Sequence, residues 1–375
     1  MVPTEFWVLT MTVGRTRASR SLRWAAMKWL PAGMLALLAA GLVAVPAAAL
    51  FDVPGERGVK ELVGINPDGC EVRNEGDGSD WRVEAAMPSL RDGPAAATIG
   101  DSVYLLGGIA SFSEDFDRAR SVATFERFDV RSGRWAELPP LPRPLNHVGL
   151  AAVGRTLYAL GGNTERLREG QASAESWRFD TSAGRWEPIA AMPTARGAAG
   201  TAVVGERIYV IGGKSGRASV ATNESYDTRT GEWSRHADMP TRRDHLGVAE
   251  SGGRLYAVGG RKEDEESLRT LEVYDPATDT WTEGAELPEP KAGFAFLPGP
   301  GGLIAAGGED LSRWTLYGGV YRLNVEDGRW ETLPAMAEPR HGFGAAVVED
   351  RLYVMGGSRC SGFLPDQDSA SMPLA

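Results

Sequence analysis

The sequence predicts an all-β chain built from six repeats of one four-stranded unit. Three observations carry that prediction. Six tryptophans stand in similar contexts, a glycine pair follows each one 26 residues later, and the tryptophans recur at intervals of 54, 51, 47, 48 and 49 residues. A period near 50 residues marks stacked supersecondary units, each burying its apolar face against its neighbours.

The chain opens with a segment unlike the rest. Arg15, Arg17, Arg20, Arg23 and Lys28 precede an uncharged apolar run over residues 29–49, which closes on Pro46 and Ala47-Ala48-Ala49. A positive stretch, an apolar stretch and small residues in that order predict a signal peptide over 1–49, with Met27 as an alternative start. The alternative is an uncleaved membrane anchor, because the run approaches the ~20 residues that cross a bilayer. Residues 50–375 are then a single domain, secreted or periplasmic, or tethered outside the cytoplasm if the anchor is kept.

The repeats begin at Trp81 and continue at Trp135, Trp186, Trp233, Trp281 and Trp330; the glycine pairs start at Gly107, Gly161, Gly212, Gly259, Gly307 and Gly356. Three residues before each pair stands Tyr104, Tyr158, Tyr209, Tyr256, Ile304 or Tyr353, inside strand-like runs such as DSVYLLGG and ERIYVIGG. Seven residues before a tryptophan come Phe128, Phe179, Tyr226, Tyr274 and, in the fifth unit, Leu323. Glycine supplies the positive φ and close backbone approach that end a strand, and the aromatic rings supply large apolar areas between units. Each unit therefore reads as strands a, b, c and d, with strand b ending at the glycine pair; in the second unit they fall near 147–153, 156–162, 174–180 and 185–189.

These motifs resemble the kelch family, whose repeat pairs a strand ending in Gly-Gly with a Tyr-Asp and a spaced Trp. The resemblance implies a six-bladed kelch β-propeller. Trp81 has no glycine pair before it, and the 18 residues after Gly357 contain no tryptophan. The closing blade is thus expected to be shared between the N-terminal and C-terminal segments, strands a and b near 343–357 pairing with c and d near 69–84. Such closure removes exposed sheet edges. The only two cysteines, Cys70 and Cys360, fall at the expected b–c corner of that blade, which predicts a disulfide in the oxidising setting that export provides.

Charge narrows the partners. The formal net charge is −10, and because residues 1–49 carry a net +4, the remainder carries −14. A negative body repels phosphate backbones, so nucleic acid is not expected as a partner. The b–c loops and d–a connections open on one face, and all length variation between repeats falls in the half containing the b–c loops. Variable loops on a rigid frame are where binding is expected.

Ten residues after each tryptophan stand Arg91, Leu145, Arg196, Arg243, Lys291 and Arg340, five of them cationic. By symmetry they are expected to ring the channel mouth and bind anions, arginine being suited to carboxylates. A Pro-Arg at this connection is also common in kelch repeats, where it often holds blades together. Lys214 and Arg261 follow two of the glycine pairs, and Glu309, directly after another, is the best carboxylate nearby. His147, His245 and His341 begin strand a in alternate blades, but ligands there rarely converge to the ~2.0–2.3 Å that zinc or copper needs, so neither metal nor cofactor is expected. The run Glu263–Glu266 reads as a solvated loop, and so does Asn223-Glu224-Ser225, a glycosylation sequon that means little in a bacterial protein.

The leading functional expectation is a binding module that presents the loop face to a glycan, a sugar acid or a protein partner. An alternative is an enzyme similar to the exported six-bladed kelch sialic-acid epimerases, which would need an acid–base pair of which the sequence offers only Glu309. A third resembles the galactose-oxidase type, in which seven blades are usual.

Overall fold

The computed structural model describes residues 71–73, 78, 80–110, 119–164, 171–263, 266–360 and 366–374. Segment 57–375 is one compact unit, while the expected leader at 1–49 and Cys70 lie outside the described residues. Among the described residues the only helical element is a single 3₁₀ turn, Leu311–Arg313, and no helix is long and apolar enough to cross a membrane.

Six four-stranded antiparallel sheets form the body. Blade 1 comprises Ala95–Ile99, Ser102–Leu106, Phe125–Asp129 and Arg134–Glu137; blade 2 comprises Gly149–Val153, Thr156–Leu160, Ser176–Asp180 and Arg185–Ile189. Blade 3 is Gly200–Val204, Arg207–Ile211, Asn223–Asp227 and Glu232–Arg235, and blade 4 is Gly247–Ser251, Arg254–Val258, Leu271–Asp275 and Thr280–Glu283. Blade 5 is Ala295–Gly299, Gly302–Ala306, Val320–Asn324 and Arg329–Leu333. The first strands touch one another in sequence, and that of the sixth blade (Gly344–Val348) returns to that of the first, so the ring is closed. Strand b is buried along nearly its whole length in every blade, which is why it reads as a continuous apolar run.

The closing blade differs from expectation. Both chain ends contribute, but in a three-to-one split: Gly344–Val348, Arg351–Met355 and Ser369–Pro373 come from the C-terminus, and only Arg82–Glu84 comes from the N-terminus. Strand c was hidden because it lacks the aromatic of its counterparts. Met372 pairs with Leu352 as Phe128 does with Val103 and Tyr226 with Ile208, and it is fully buried in that place. Residues Glu71–Arg73, expected near the start of strand c, instead lie parallel to Thr315–Tyr317 in the b–c connection of blade 5.

Two backbone-directed locks repeat around the ring. Each repeat tryptophan is half-buried and donates its indole N–H to a carbonyl of the preceding blade: Trp135 to Ala85 (2.8 Å), Trp186 to Pro139 (3.0 Å), Trp233 to Ala190 (2.9 Å), and across the closure Trp81 to Ala335 (2.7 Å). The second glycine of each pair donates its N–H to the carbonyl of the residue ten after the next tryptophan, as Gly162 does to Arg196 (3.0 Å) and Gly357 to Arg91 (3.1 Å). At the first glycine a Cβ would sit 2.4 Å from that same carbonyl in Gly161, and φ is positive at +64°. The pair is required by close approach and by handedness together.

Candidate binding face at the axial mouth

The five cations expected to line the mouth do not line it. Arg91, Arg196, Arg243, Lys291 and Arg340 are 0–1% exposed. In three blades the partner is a glutamate on strand c: Arg91 with Glu126 (2.7 Å), Arg196 with Glu224 (2.6 Å) and Arg243 with Glu272 (3.0 Å). Ser89, Thr194 and Thr241, two residues before each arginine, cap the other carboxylate oxygen at 2.7–2.9 Å. The exceptions follow the same logic. Leu145 faces a blade whose strand c carries Trp177 at this position, and Lys291 lies 5.0 Å from the ring of Tyr321 while pairing with Glu289 at 2.9 Å. Arg340 takes Glu338 and the carbonyls of Gly356 and Asp368. Burial drives the Arg243 guanidinium down to about 10 against the pull of Glu272, still fully charged at neutral pH. These side chains fasten the d–a connection to strand c, while their carbonyls hold the preceding glycine pair. They correct the expected anion ring to a structural one.

The mouth is built one and two residues further on. Twelve residues after each tryptophan stand Gly93, His147, Ala198, His245, Gly293 and Gly342, all with φ between 48° and 63°. Hydrogen bonds link them in a chain around the axis: Gly93 to Gly342, Gly342 to Gly293, Gly293 to His245, His245 to Ala198 and Ala198 to His147, at 2.6–3.0 Å. Three glycines occupy a position that favours glycine. His147, Ala198 and His245 hold the same left-handed conformation, which is strained for a side chain and is found preferentially where function needs it.

The residues eleven after each tryptophan bridge to the residues that follow the glycine pairs, including Asp92 to Ile109, Gly197 to Lys214, Asp244 to Arg261 and Ala292 to Glu309. Six glycine pairs, six tryptophans and six such bridges now define the repeat. A profile described as KLHDC2/KLHL20/DRC7 Kelch-repeats domain matches residues 147–357, more than half of the chain, and a Kelch motif matches 90–142. The chain belongs to the kelch-repeat family. It is similar to Kelch-like protein terF of Aspergillus terreus, 33% identical over 144 residues, covering 37% of this chain and 30% of that protein. It is also similar to Kelch domain-containing protein 8B of Rattus norvegicus, 33% identical over 138 residues (36% and 38%), and to Kelch repeat and BTB domain-containing protein 12 of Danio rerio, 25% identical over 169 residues (43% and 26%). The matched segments span well under half the length of these relatives.

In this kelch mouth two of the three histidines come into ring contact. The His147 and His245 rings approach to 4.7 Å between centroids at 74°. His341 is offset by one residue and turns away, its Nε2 2.9 Å from the Cys360 carbonyl and its Nδ1 3.5 Å from Glu309. Asn146 donates to Ser121 (2.7 Å), so its oxygen accepts from His147 Nδ1 at 2.5 Å. Asp244 accepts from His245 Nδ1, and Arg261, which can only donate, lies 3.2 Å from His245 Nε2. Both imidazoles therefore carry their proton on Nδ1. Burial, together with the neighbouring ring and Arg261, holds His147 well below the ordinary imidazole value, and burial and Arg261 lower His245. Burial opposes ionisation of Asp244, but His245, Arg261 and Ser219 outweigh it and keep the carboxylate far below its usual range.

A network spans three blades here. Arg261 reaches Asp244 at 3.3 Å and Glu309 at 3.5 Å, and Glu309 is buried beside His341. Asp92 is pushed up to about 6, chiefly by burial and further by Glu309. The histidine contact was invisible in sequence because it joins residues 98 positions apart; the shared offset from two tryptophans was the only signal. The solvated loop expected at Asn223-Glu224-Ser225 is instead the start of a buried strand c, with Asn223 fully buried and its amide on the Ala237 carbonyl.

Proposed function

We propose that this kelch domain is a binding module that docks a partner protein on the face formed by the b–c connections and the axial mouth. The observation that carries the reading is the contrast between two sets of cations. Those of the frame are buried and each paired with a glutamate, whereas Lys214 and the exposed Arg217, on the small hairpin Lys214–Ser215/Ala218–Ser219 beside the mouth, have no ion-pair partner among the described residues. On a body of net −14, such a pair focuses the field on carboxylates a partner brings. Crosslinking with an exported proteome, followed by affinity measurement with Lys214→Ser/Arg217→Ser, tests this. Binding that is indifferent to both substitutions and to salt refutes it.

We also propose that the chain is exported by cleavage after Ala49 and that Cys70 pairs with Cys360. Cys360 is buried, and Cys70 directly precedes in sequence Glu71, which pairs with Thr315 in the b–c connection of blade 5. N-terminal sequencing and non-reducing peptide mapping of the secreted protein check both; a start upstream of residue 50, or two alkylatable thiols, overturns them. The sugar-acid epimerase reading rests on Glu309 and His341, whose 3.5 Å approach supplies the second acid–base group; anomer exchange measured by NMR decides it.

A further inference from the structure

We propose that His147 and His245 form a site for one borderline-soft divalent transition-metal ion, of the zinc or nickel class, at the axial mouth. The geometry comes first. Two imidazoles bound to one ion through Nε2 at about 2.0–2.1 Å each place their ring centroids on the order of 5 Å apart, and these stand at 4.7 Å. The tautomers are set for it. Each Nδ1–H is spent on a fixed acceptor, Asn146 Oδ1 or the Asp244 carboxylate, which leaves each Nε2 as an acceptor, that of His147 beside Gly93 and that of His245 beside Arg261. A ligating histidine almost always holds its other ring nitrogen in this way.

The backbone supplies an independent argument. The same ring position is glycine in three blades and alanine in one, at the same left-handed φ. The hydrogen bonds around the axis set this conformation in all six places, and a histidine, like Ala198, bears strain in it that a glycine does not; two of the three side chains so placed meet. The His147 Nε2 has no partner among the described residues, while that of His245 is held by one N–H of Arg261 at 3.2 Å. An ion displaces that N–H, and Arg261 retains Asp244 and Glu309. Those two carboxylates leave the surroundings net negative with Arg261 in place, so a dication is tolerated. Imidazole nitrogens select zinc, nickel and copper over magnesium or calcium. The remaining coordination positions fall to water or to a donor from a bound partner.

The carboxylate group Glu338, Asp366 and Asp368 is the other place where ligand oxygens gather, but Arg359 is ion-paired to all three, and it serves as the control. The experiment is isothermal titration of chelator-stripped, tag-free protein with Zn²⁺ alone and Ni²⁺ alone, at pH 7.5. The variants are His147→Gly, His245→Gly, Arg261→Met and Asp368→Asn, each checked for folding by circular dichroism. Glycine is native to this position in three blades, so the histidine variants keep the fold. Wild type is expected to bind one ion, each glycine variant to lose about 10-fold or more in affinity, as ligand-shell losses do, and Asp368→Asn to bind as wild type. Arg261→Met is expected to bind more tightly, because a competing proton donor and a positive charge are gone. Absence of binding, binding unchanged in both glycine variants, or binding weakened in Arg261→Met overturns the site.

Discussion

Glu224→Leu removes one partner of a buried pair in blade 3 and leaves the Arg196 guanidinium charged with no carboxylate. Both groups are 0–1% exposed, the ion pair is 2.6 Å long, and Thr194 donates to the second oxygen at 2.7 Å. Arg196 would keep only the carbonyls of Val210 and Thr194. Breaking such a pair costs about 3–5 kcal/mol, because an uncompensated charge stays out of water. The double variant Arg196→Leu/Glu224→Leu removes both charges and imitates blade 2, where Leu145 occupies the arginine position without a cation and is fully buried. It is expected to recover at least about 1 kcal/mol of the single-variant loss, a coupling within the range of directly contacting pairs. Urea denaturation of wild type, both single variants and the double variant closes the cycle. If either single variant costs under about 1 kcal/mol, or the double variant loses the sum of the singles, the pair is not the fastening argued from its burial.

Asp92→Asn probes the axial network through pH. The folded carboxyl, raised to about 6 from an ordinary 3.8, binds its proton more tightly than the unfolded chain does. Its stability contribution is present in full below pH 4 and is lost as pH rises through 6, so the wild-type slope over that window should flatten in the variant. The variant should also gain up to about 3 kcal/mol at neutral pH; an unchanged slope in pH-dependent denaturation contradicts this. Trp186→Ala is expected to cost about 2–3 kcal/mol, less than the roughly 3–5 of an enclosed aromatic, and Trp186→Phe about 1 kcal/mol for the lost bond to Pro139, both read by thermal melts. Deleting residues 366–375 removes the central strand between Arg351–Met355 and Arg82–Glu84, so cooperative unfolding should be lost. A truncated chain with a wild-type melting transition refutes the three-to-one closure.

By itself the sequence determined the blade count, the strand order within blades 1 to 5 and the residues that lock one blade to the next. Those features answer to local geometry, a glycine where φ must be positive or an indole one blade-width from a carbonyl, so they recur at fixed offsets and are legible as a period. Only the tertiary structure decided what the cations do. The carboxylate that claims Arg196 lies 28 residues away on a strand whose face depends on sheet pairing, and the same offset from tryptophan gave no sign of burial. It also decided the last blade, because Met372 fills an aromatic's place by volume and register and not by type. The meeting of His147 and His245 belongs to the same class. The period gives the two positions one offset but not their contact: ring closure brings alternate blades together, and a left-handed turn, decided by the hydrogen bonds around the axis, brings both side chains into one space.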